Sequence, residues 1–175
     1  MNKSIFLDRD GTLIFDEDYL ADPTKVTLMP GAVEALCEFR NSGYMLIIIS
    51  NQSGIGRGMF SEQDMEVVNQ KVAELFKAKG IEFDAVLICP HAPEDNCECR
   101  KPSPKLLLDA AETFNIDLAN SAMIGDKLSD AQCGIAAGCK FNIFLDNGKQ
   151  VPPDSPEIYI VKELTGALSI ISQGK

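Results

Sequence analysis

A chain of 175 residues, 45% of them hydrophobic and 24% charged, is long enough to bury one core and too short for two ordinary domains, so residues 1–175 read as a single domain. Its formal charge of −10 repels phosphate backbones and argues against a nucleic-acid partner in the absence of a local basic patch. Residues 45–49, the longest apolar run, fall far short of a bilayer span, and Met1-Asn2-Lys3-Ser4 opens no secretory signal, so a cytoplasmic protein with no membrane partner is expected.

Short apolar runs alternate with helical patterns along the chain. Ile5-Phe6-Leu7 predicts a strand, residues 32–42 a helix, 45–49 a strand, 61–79 a helix, 85–88 a strand, 104–114 a helix, 122–124 a strand and 129–137 a helix. After a proline-rich turn at 151–156, a strand at 158–161 and a helix at 164–171 are expected to cover one sheet edge. Ser61 followed by Asp64 signals an N-cap, Ser103-Pro104 reads as an N-cap with proline at N1, and Gly43, Gly80 and Gly138 sit where helices end. Strands separated by helices require crossover connections. The expected fold is therefore α/β, a single Rossmann-like parallel sheet flanked by helices.

In such a sheet ligands gather outside the carboxyl ends of the strands. The residues that follow the predicted strands are Asp8-Arg9-Asp10, Ser50-Asn51-Gln52, Cys89-Pro90-His91 and Gly125-Asp126-Lys127. Polar loops commonly follow strands, but these carry phosphate-transfer and metal-binding chemistry. Asp8 and Asp10, two apart at a strand end, leave on one side of the sheet before Gly11 turns the chain away. Two adjacent carboxylates need a counter-cation, and a hard Mg²⁺ with oxygen ligands supplies one, with Asp126 completing its site. Asp130, one turn into the next helix, is expected to orient Lys127 or a metal-bound water.

Cys89-Pro90-His91 and Cys97-Glu98-Cys99 together form Cys-x-His…Cys-x-Cys. Three soft thiolates and the chain's only histidine suit a tetrahedral Zn²⁺, and four protein ligands leave no open position, so the zinc is read as structural. A knot at 89–99 immediately before Arg100-Lys101-Pro102 would restrict a long polar loop and fix Lys101. Cys37, Cys133 and Cys139 lie in apolar patterns and read as core residues.

Taken in order, Phe6-Leu7-Asp8-Arg9-Asp10-Gly11-Thr12-Leu13, Ile49-Ser50-Asn51, Lys101-Pro102 and Gly125-Asp126-x-x-x-Asp130 resemble the four motifs of the haloacid dehalogenase superfamily over residues 4–148. The resemblance implies a phosphatase with Asp8 as nucleophile and Asp10 as general acid and then base. It makes Ser50 and Lys101 phosphoryl ligands, and Asp8, the Asp10 carbonyl and Asp126 ligands of Mg²⁺. A carboxylate nucleophile divides one displacement into two, and a lysine, a hydroxyl and a cation around the phosphoryl oxygens supply the stabilising charge. Segments 12–30 and 89–100 are too short for the inserted cap of many members, so an open, capless site is expected.

The zinc loop followed by Cys-x-Cys-Arg-Lys-Pro resembles the branch that holds heptose bisphosphate 7-phosphatases and histidinol-phosphate phosphatases. Residues 51–58 with Phe60, and residues 125–130, resemble the heptose enzymes. That resemblance implies removal of the C7 phosphate of D-glycero-D-manno-heptose 1,7-bisphosphate in the supply of ADP- or GDP-activated heptose. It sets Arg9, Asp16, Tyr19, Asn51, Gln52, Ser53, Arg57, Arg100 and Lys127 against the substrate. A bisphosphate offers a second anion to Arg57 and Arg100, whereas the amine of histidinol phosphate would be repelled by them. The His91–Cys97 spacer resembles the histidinol enzymes, so that alternative stands, and the preferred anomer is open. A phosphoacceptor signalling domain would carry its aspartate after a middle strand, without a second acid two residues on. A nucleic-acid 3′-phosphatase is disfavoured by the acidic surface. A monomer acting on a small sugar bisphosphate is the expectation.

Overall fold

A computed structural model of the protein describes residues 1–173. The strands are β1 (Lys3–Leu7), β2 (Tyr44–Asn51), β3 (Ala85–Cys89), β4 (Ala122–Gly125), β5 (Phe141–Leu145) and β6 (Ile158–Val161). The helices are α1 (Ala32–Asn41), α2 (Ser53–Gly56), α3 (Glu62–Lys77), α4 (Lys105–Phe114), α5 (Leu128–Ala137) and α6 (Gly166–Gln173). The strands form one sheet in the order β3-β2-β1-β4-β5-β6, and each neighbouring pair is parallel.

Both faces of the sheet are covered, which is why its strands read as near-continuous apolar runs. Ile5, Leu7, Leu46 and Ile48 point toward α1, α3 and α6, where they meet Leu36, Phe39, Val72, Phe76 and Ile171. Phe6, Ile47, Ile49 and Met123 point the other way, onto Leu107 and Ala110 of α4 and Cys133 of α5. The period of two thus divides one strand between two cores. Cys133 and Cys139 are buried and Cys37 is half-buried, as core packing requires.

Three local readings change. Strand β5 carried no clear signal, because Asn142 interrupts its apolar run. The structure accommodates this asparagine by donating its amide to Cys139 O at 3.3 Å and packing its oxygen against Gly134. A Cβ at Gly134 would stand 2.3 Å from that oxygen. Pro104 occupies the N-cap of α4, one position earlier than expected. The glycine-rich turn α2 was too short to show a period. Elsewhere the helix punctuation acts as written: Ser61 and Asp64 form a reciprocal capping box, with bonds of 3.1 and 2.8 Å. Among the described residues no helix is long and apolar enough to cross a membrane.

β1 lies at the point where the chain reverses its order of strand addition. It first builds outward through β2 and β3, then crosses back to β4 on the other side of β1. The loops leaving β1, β2 and β4 therefore diverge around one crevice, the position where open α/β sheets bind ligands.

Candidate active site

Asp8 directly follows β1, and its N–H extends the ladder to Ile124 O at 2.9 Å. Its Oδ1 accepts from Lys101 Nζ at 2.6 Å. The same ammonium donates to Ile49 O at 2.6 Å and lies 2.6 Å from Asp130 Oδ1. Lys101 is buried, which by itself would lower its pKa, but the carboxylates of Asp130 and Asp8 outweigh burial and raise it, so the lysine is held charged. Asp130 also accepts the Lys127 N–H at 2.9 Å through Oδ2. It thus grips the backbone of Lys127 and the side chain of Lys101, a pairing the sequence had not indicated.

Asp8, Asp126 and Asp130 each offer an oxygen within 4.8 Å of the others. All three are buried. Burial first, then the charge of Asp8, pushes the Asp126 carboxyl up to about 7. Burial likewise pushes Asp130 up to about 6, against the pull of Lys101. Asp8 Oδ2 and Asp126 Oδ1 have no hydrogen-bond partner. Two orphaned carboxylate oxygens in a buried, negatively charged cluster fit a hard divalent cation, which would satisfy both. Two glycines permit this crowding: a Cβ at Gly11 would come within 2.2 Å of Asp126 Oδ2, and one at Gly125 within 2.2 Å of Asp130 Oδ2. Gly11 additionally adopts a φ of 84°.

Asp10 stands beside this cluster, with its carboxylate turned to other partners. Arg9 grips it through Nε–Oδ2 and Nη2–Oδ1 bonds of 3.1 Å each. Gln52 Nε2 donates to Asp10 Oδ2 at 2.7 Å and to Ser50 Oγ at 2.8 Å. Both amide protons of Gln52 are therefore used, and the Ser50 hydroxyl proton is left for an incoming acceptor. Burial raises the Asp10 pKa, opposed by Arg9. Arg9 itself is 1% exposed. Its remaining nitrogen, Nη1, donates to Asn69 Oδ1 at 2.7 Å, so three of its N–H groups serve Asp10 and Asn69, while the residue also lines the cleft above.

Lys101 is delivered by the loop between β3 and α4. Cys89, His91, Cys97 and Cys99 converge there, with Sγ–Sγ separations of 3.5, 3.1 and 3.7 Å and Sγ–Nδ1 separations of 3.7 and 3.4 Å. A tetrahedral zinc site with Zn–S near 2.3 Å and Zn–N near 2.0–2.1 Å has edges of roughly 3.5–3.8 Å, close to these separations. The cysteines are free thiols, and burial with crowding pushes Cys89 up to about 12. A metal that takes thiolates would remove that cost. Arg100 Nη1 donates to His91 O at 3.2 Å. Lys101 is held from β2 as well: Asn51 donates to its carbonyl at 3.1 Å and accepts from its N–H at 3.0 Å. The sequence sets Asn51 against substrate; its side chain bonds the backbone of Lys101, and the residue also lines the cleft above.

Above these groups opens a cleft of about 260 Å³, lined by Asp10, Asp16, Tyr19, Asn51, Gln52, Ser53 and Lys127 among others. Arg57 stands on its rim, donating to Tyr19 Oη at 3.0 Å and lying 3.4 Å from Glu94. Asp16 lies between Lys127 and Lys149, at 4.0 and 3.8 Å. Asn69, Asn147 and Lys149 were not foreseen. Asn147 donates to Asp126 Oδ2 at 2.9 Å, but it follows β5, the strand without a signal. Asn69 sits in mid-helix with no motif around it. A wider depression at the opposite end of the sheet, lined by Arg40, Lys77, Glu82 and Asp84, has its charges paired internally, with Arg40–Asp84 at 2.8 Å and Lys77–Glu82 at 2.9 Å.

Comparison with known proteins gives concordant matches. A profile of haloacid dehalogenase-like hydrolases matches residues 15–138. A Helicobacter pylori protein named D-glycero-beta-D-manno-heptose-1,7-bisphosphate 7-phosphatase is 43% identical over 155 residues, spanning 88% of this chain and 90% of its own. A Haemophilus influenzae protein of the same name is 36% identical, with 100% of both chains aligned. The crystal structure of a D,D-heptose 1,7-bisphosphate phosphatase from B. bronchiseptica, complexed with magnesium and phosphate, superposes with a TM-score of 0.89 at 29% identity over 99% of both chains.

Proposed function

The chain belongs to the haloacid dehalogenase-like hydrolases, and from that membership we propose that it removes the C7 phosphate of D-glycero-β-D-manno-heptose 1,7-bisphosphate through an aspartyl-phosphate on Asp8. One observation carries the mechanism: Asp8 meets a buried Lys101 ammonium at 2.6 Å while its Oδ2 is unpartnered, with Asp10 anchored alongside. Asp8 attacks phosphorus as the bond to the sugar oxygen breaks, and Asp10 gives its proton to that oxygen. Asp10 then takes a proton from water as the water displaces Asp8 from phosphorus. Lys101 and the Ser50 hydroxyl bind the phosphoryl oxygens, where charge develops. Asp8, Asp126 and the Asp10 carbonyl would hold Mg²⁺, whose charge would let an anionic nucleophile approach an anionic ester.

The β anomer follows the names of the relatives, and the second phosphate is assigned to the basic rim of Arg57, Arg100 and Lys127. We further assign the protein to the cytoplasm as a monomer without a nucleic-acid partner. The direct test is turnover of both heptose bisphosphate anomers and of histidinol phosphate by the purified protein with Mg²⁺. Preference for histidinol phosphate would reject the sugar assignment and leave the chemistry standing. Arg57→Ala sharpens the test. Its kcat/KM on the bisphosphate should fall by about 1.5 kcal/mol more than on p-nitrophenyl phosphate, the low end for a charged hydrogen bond. The low end applies because the arginine side chain is 41% exposed and shared with Glu94. Equal losses on both substrates would remove Arg57 from recognition.

Zn²⁺ is assigned to Cys89, His91, Cys97 and Cys99, where it would hold the loop that presents Lys101. A Cys97→Ser, Cys99→Ser double variant should lose one equivalent of zinc by elemental analysis and lose activity that added Mg²⁺ does not restore. Its melting temperature should fall only moderately, since the loop lies outside the sheet. Full activity in the zinc-free variant would separate the knot from Lys101.

A further inference from the structure

The geometry points to Asn69 as a positioning residue for Asp10, acting through the buried guanidinium of Arg9. This inference rests on the reading of Asp10 as the proton donor. Asn69 lies in α3, on a helix fixed at its start by the Ser61–Asp64 capping box. It is 8% exposed. Its Oδ1 accepts from Arg9 Nη1 at 2.7 Å, while its amide faces only Met65 Sδ at 2.8 Å, a weak acceptor. The strong hydrogen bond of this buried amide is therefore spent on Arg9.

A guanidinium is planar, and its donors sit at fixed angles to one another. Anchoring Nη1 at Asn69 sets the orientation of that plane and so directs the opposite edge, Nε and Nη2, onto the Asp10 carboxylate. Gln52 then adds its bond to Asp10 Oδ2. Oδ2 carries donors from Arg9 and Gln52, whereas Oδ1 accepts a single bond from Arg9. The oxygen with a free lone pair is Oδ1, and we assign it the proton that passes to the leaving oxygen. Without Asn69, Arg9 keeps its charge and loses its orientation, and with it the carboxylate it steers.

Leaving groups distinguish this role from mere packing. A sugar oxygen departs as a basic alkoxide that needs a proton, whereas dinitrophenolate departs without one. In single-turnover experiments with enzyme in excess and Mg²⁺ present, Asn69→Leu should slow cleavage of the heptose bisphosphate by about tenfold or more. Release of dinitrophenolate from dinitrophenyl phosphate should stay within about threefold of the unaltered protein, because that step bypasses the donor. Asn69→Asp, which keeps an acceptor for Arg9, should restore the sugar reaction. Parallel losses on both substrates, or no loss on either, would overturn the assignment. Should Asn69→Leu fail to fold, Asn69→Ala removes the acceptor for Arg9 in a smaller side chain and must give the same split between substrates. Failure of the unaltered protein to turn over either compound would instead reject the phosphatase reading beneath it.

Discussion

Asp8→Asn should abolish turnover, by roughly 10⁴-fold or more, as loss of a covalent nucleophile does elsewhere. The amide keeps the shape of the side chain, so β1 and its ladder bond to Ile124 should persist. What disappears is the proposed nucleophile and one of the charges that would hold a cation. Stability should be moved in two opposing directions. Asp8 is among the causes that raise Asp126 to about 7 and Asp130 to about 6, so removing its charge relieves repulsion within a buried acidic cluster. The metal-free variant should melt close to the unaltered protein, because that relief is offset by loss of the buried Asp8–Lys101 pair, and the rise in melting temperature on adding Mg²⁺ should shrink or vanish. Turnover assays at saturating Mg²⁺ and melting curves with and without the ion give both readings. Near-native turnover would remove Asp8 from the mechanism.

The second large effect belongs to Lys101→Met. A single preorganised donor at developing charge is worth about 10²–10³ in kcat, and that loss is expected here. The ammonium also neutralises Asp8 and Asp130 in a site where its own side chain is 2% exposed. Breaking a buried pair by removing one partner costs about 3–5 kcal/mol, and the low end applies because the Asp130 carboxyl can take up a proton. The two losses should part when Mg²⁺ is added: the ion should offset much of the carboxylate repulsion and restore stability, but it would not replace Lys101 in its proposed role at the phosphoryl group. Recovery of activity together with stability would mean that Lys101 serves only as a counter-charge.

The strand-end positions of Asp8, Ser50 and Asp126 were readable because each follows an apolar run whose length and flanks identify a strand, and a parallel sheet turns such positions toward one crevice. The Cys-x-His…Cys-x-Cys cluster was equally readable, since its four members lie within one loop. Asn69, Asn147 and the inward-facing role of Arg9 were not. Arg9 and Asn69 are 60 residues apart, and Asp8 and Lys101 are 93 apart. No local pattern encodes the angle of a guanidinium or the partner of a mid-helix amide. Strand β5 escaped for a related reason: the burial of Asn142 depends on the missing side chain of Gly134, a contact between two elements.

By itself, then, the sequence determined the parallel α/β architecture, the carboxylate pair at the first strand end and the loop that gathers three cysteines and a histidine, because local periodicity and spacing are sufficient for each. Only the tertiary structure decided which oxygens stand free. It sent Arg9 to Asp10 and Asn69, Asn51 to the backbone of Lys101 and Asp130 to the ammonium, while Asp8 Oδ2 and Asp126 Oδ1 were left unpartnered. Hydrogen-bond partners in a buried site are allotted by competition among every donor and acceptor that folding brings within about 3 Å, and that set exists only once β1, β2, β4 and α3 have packed.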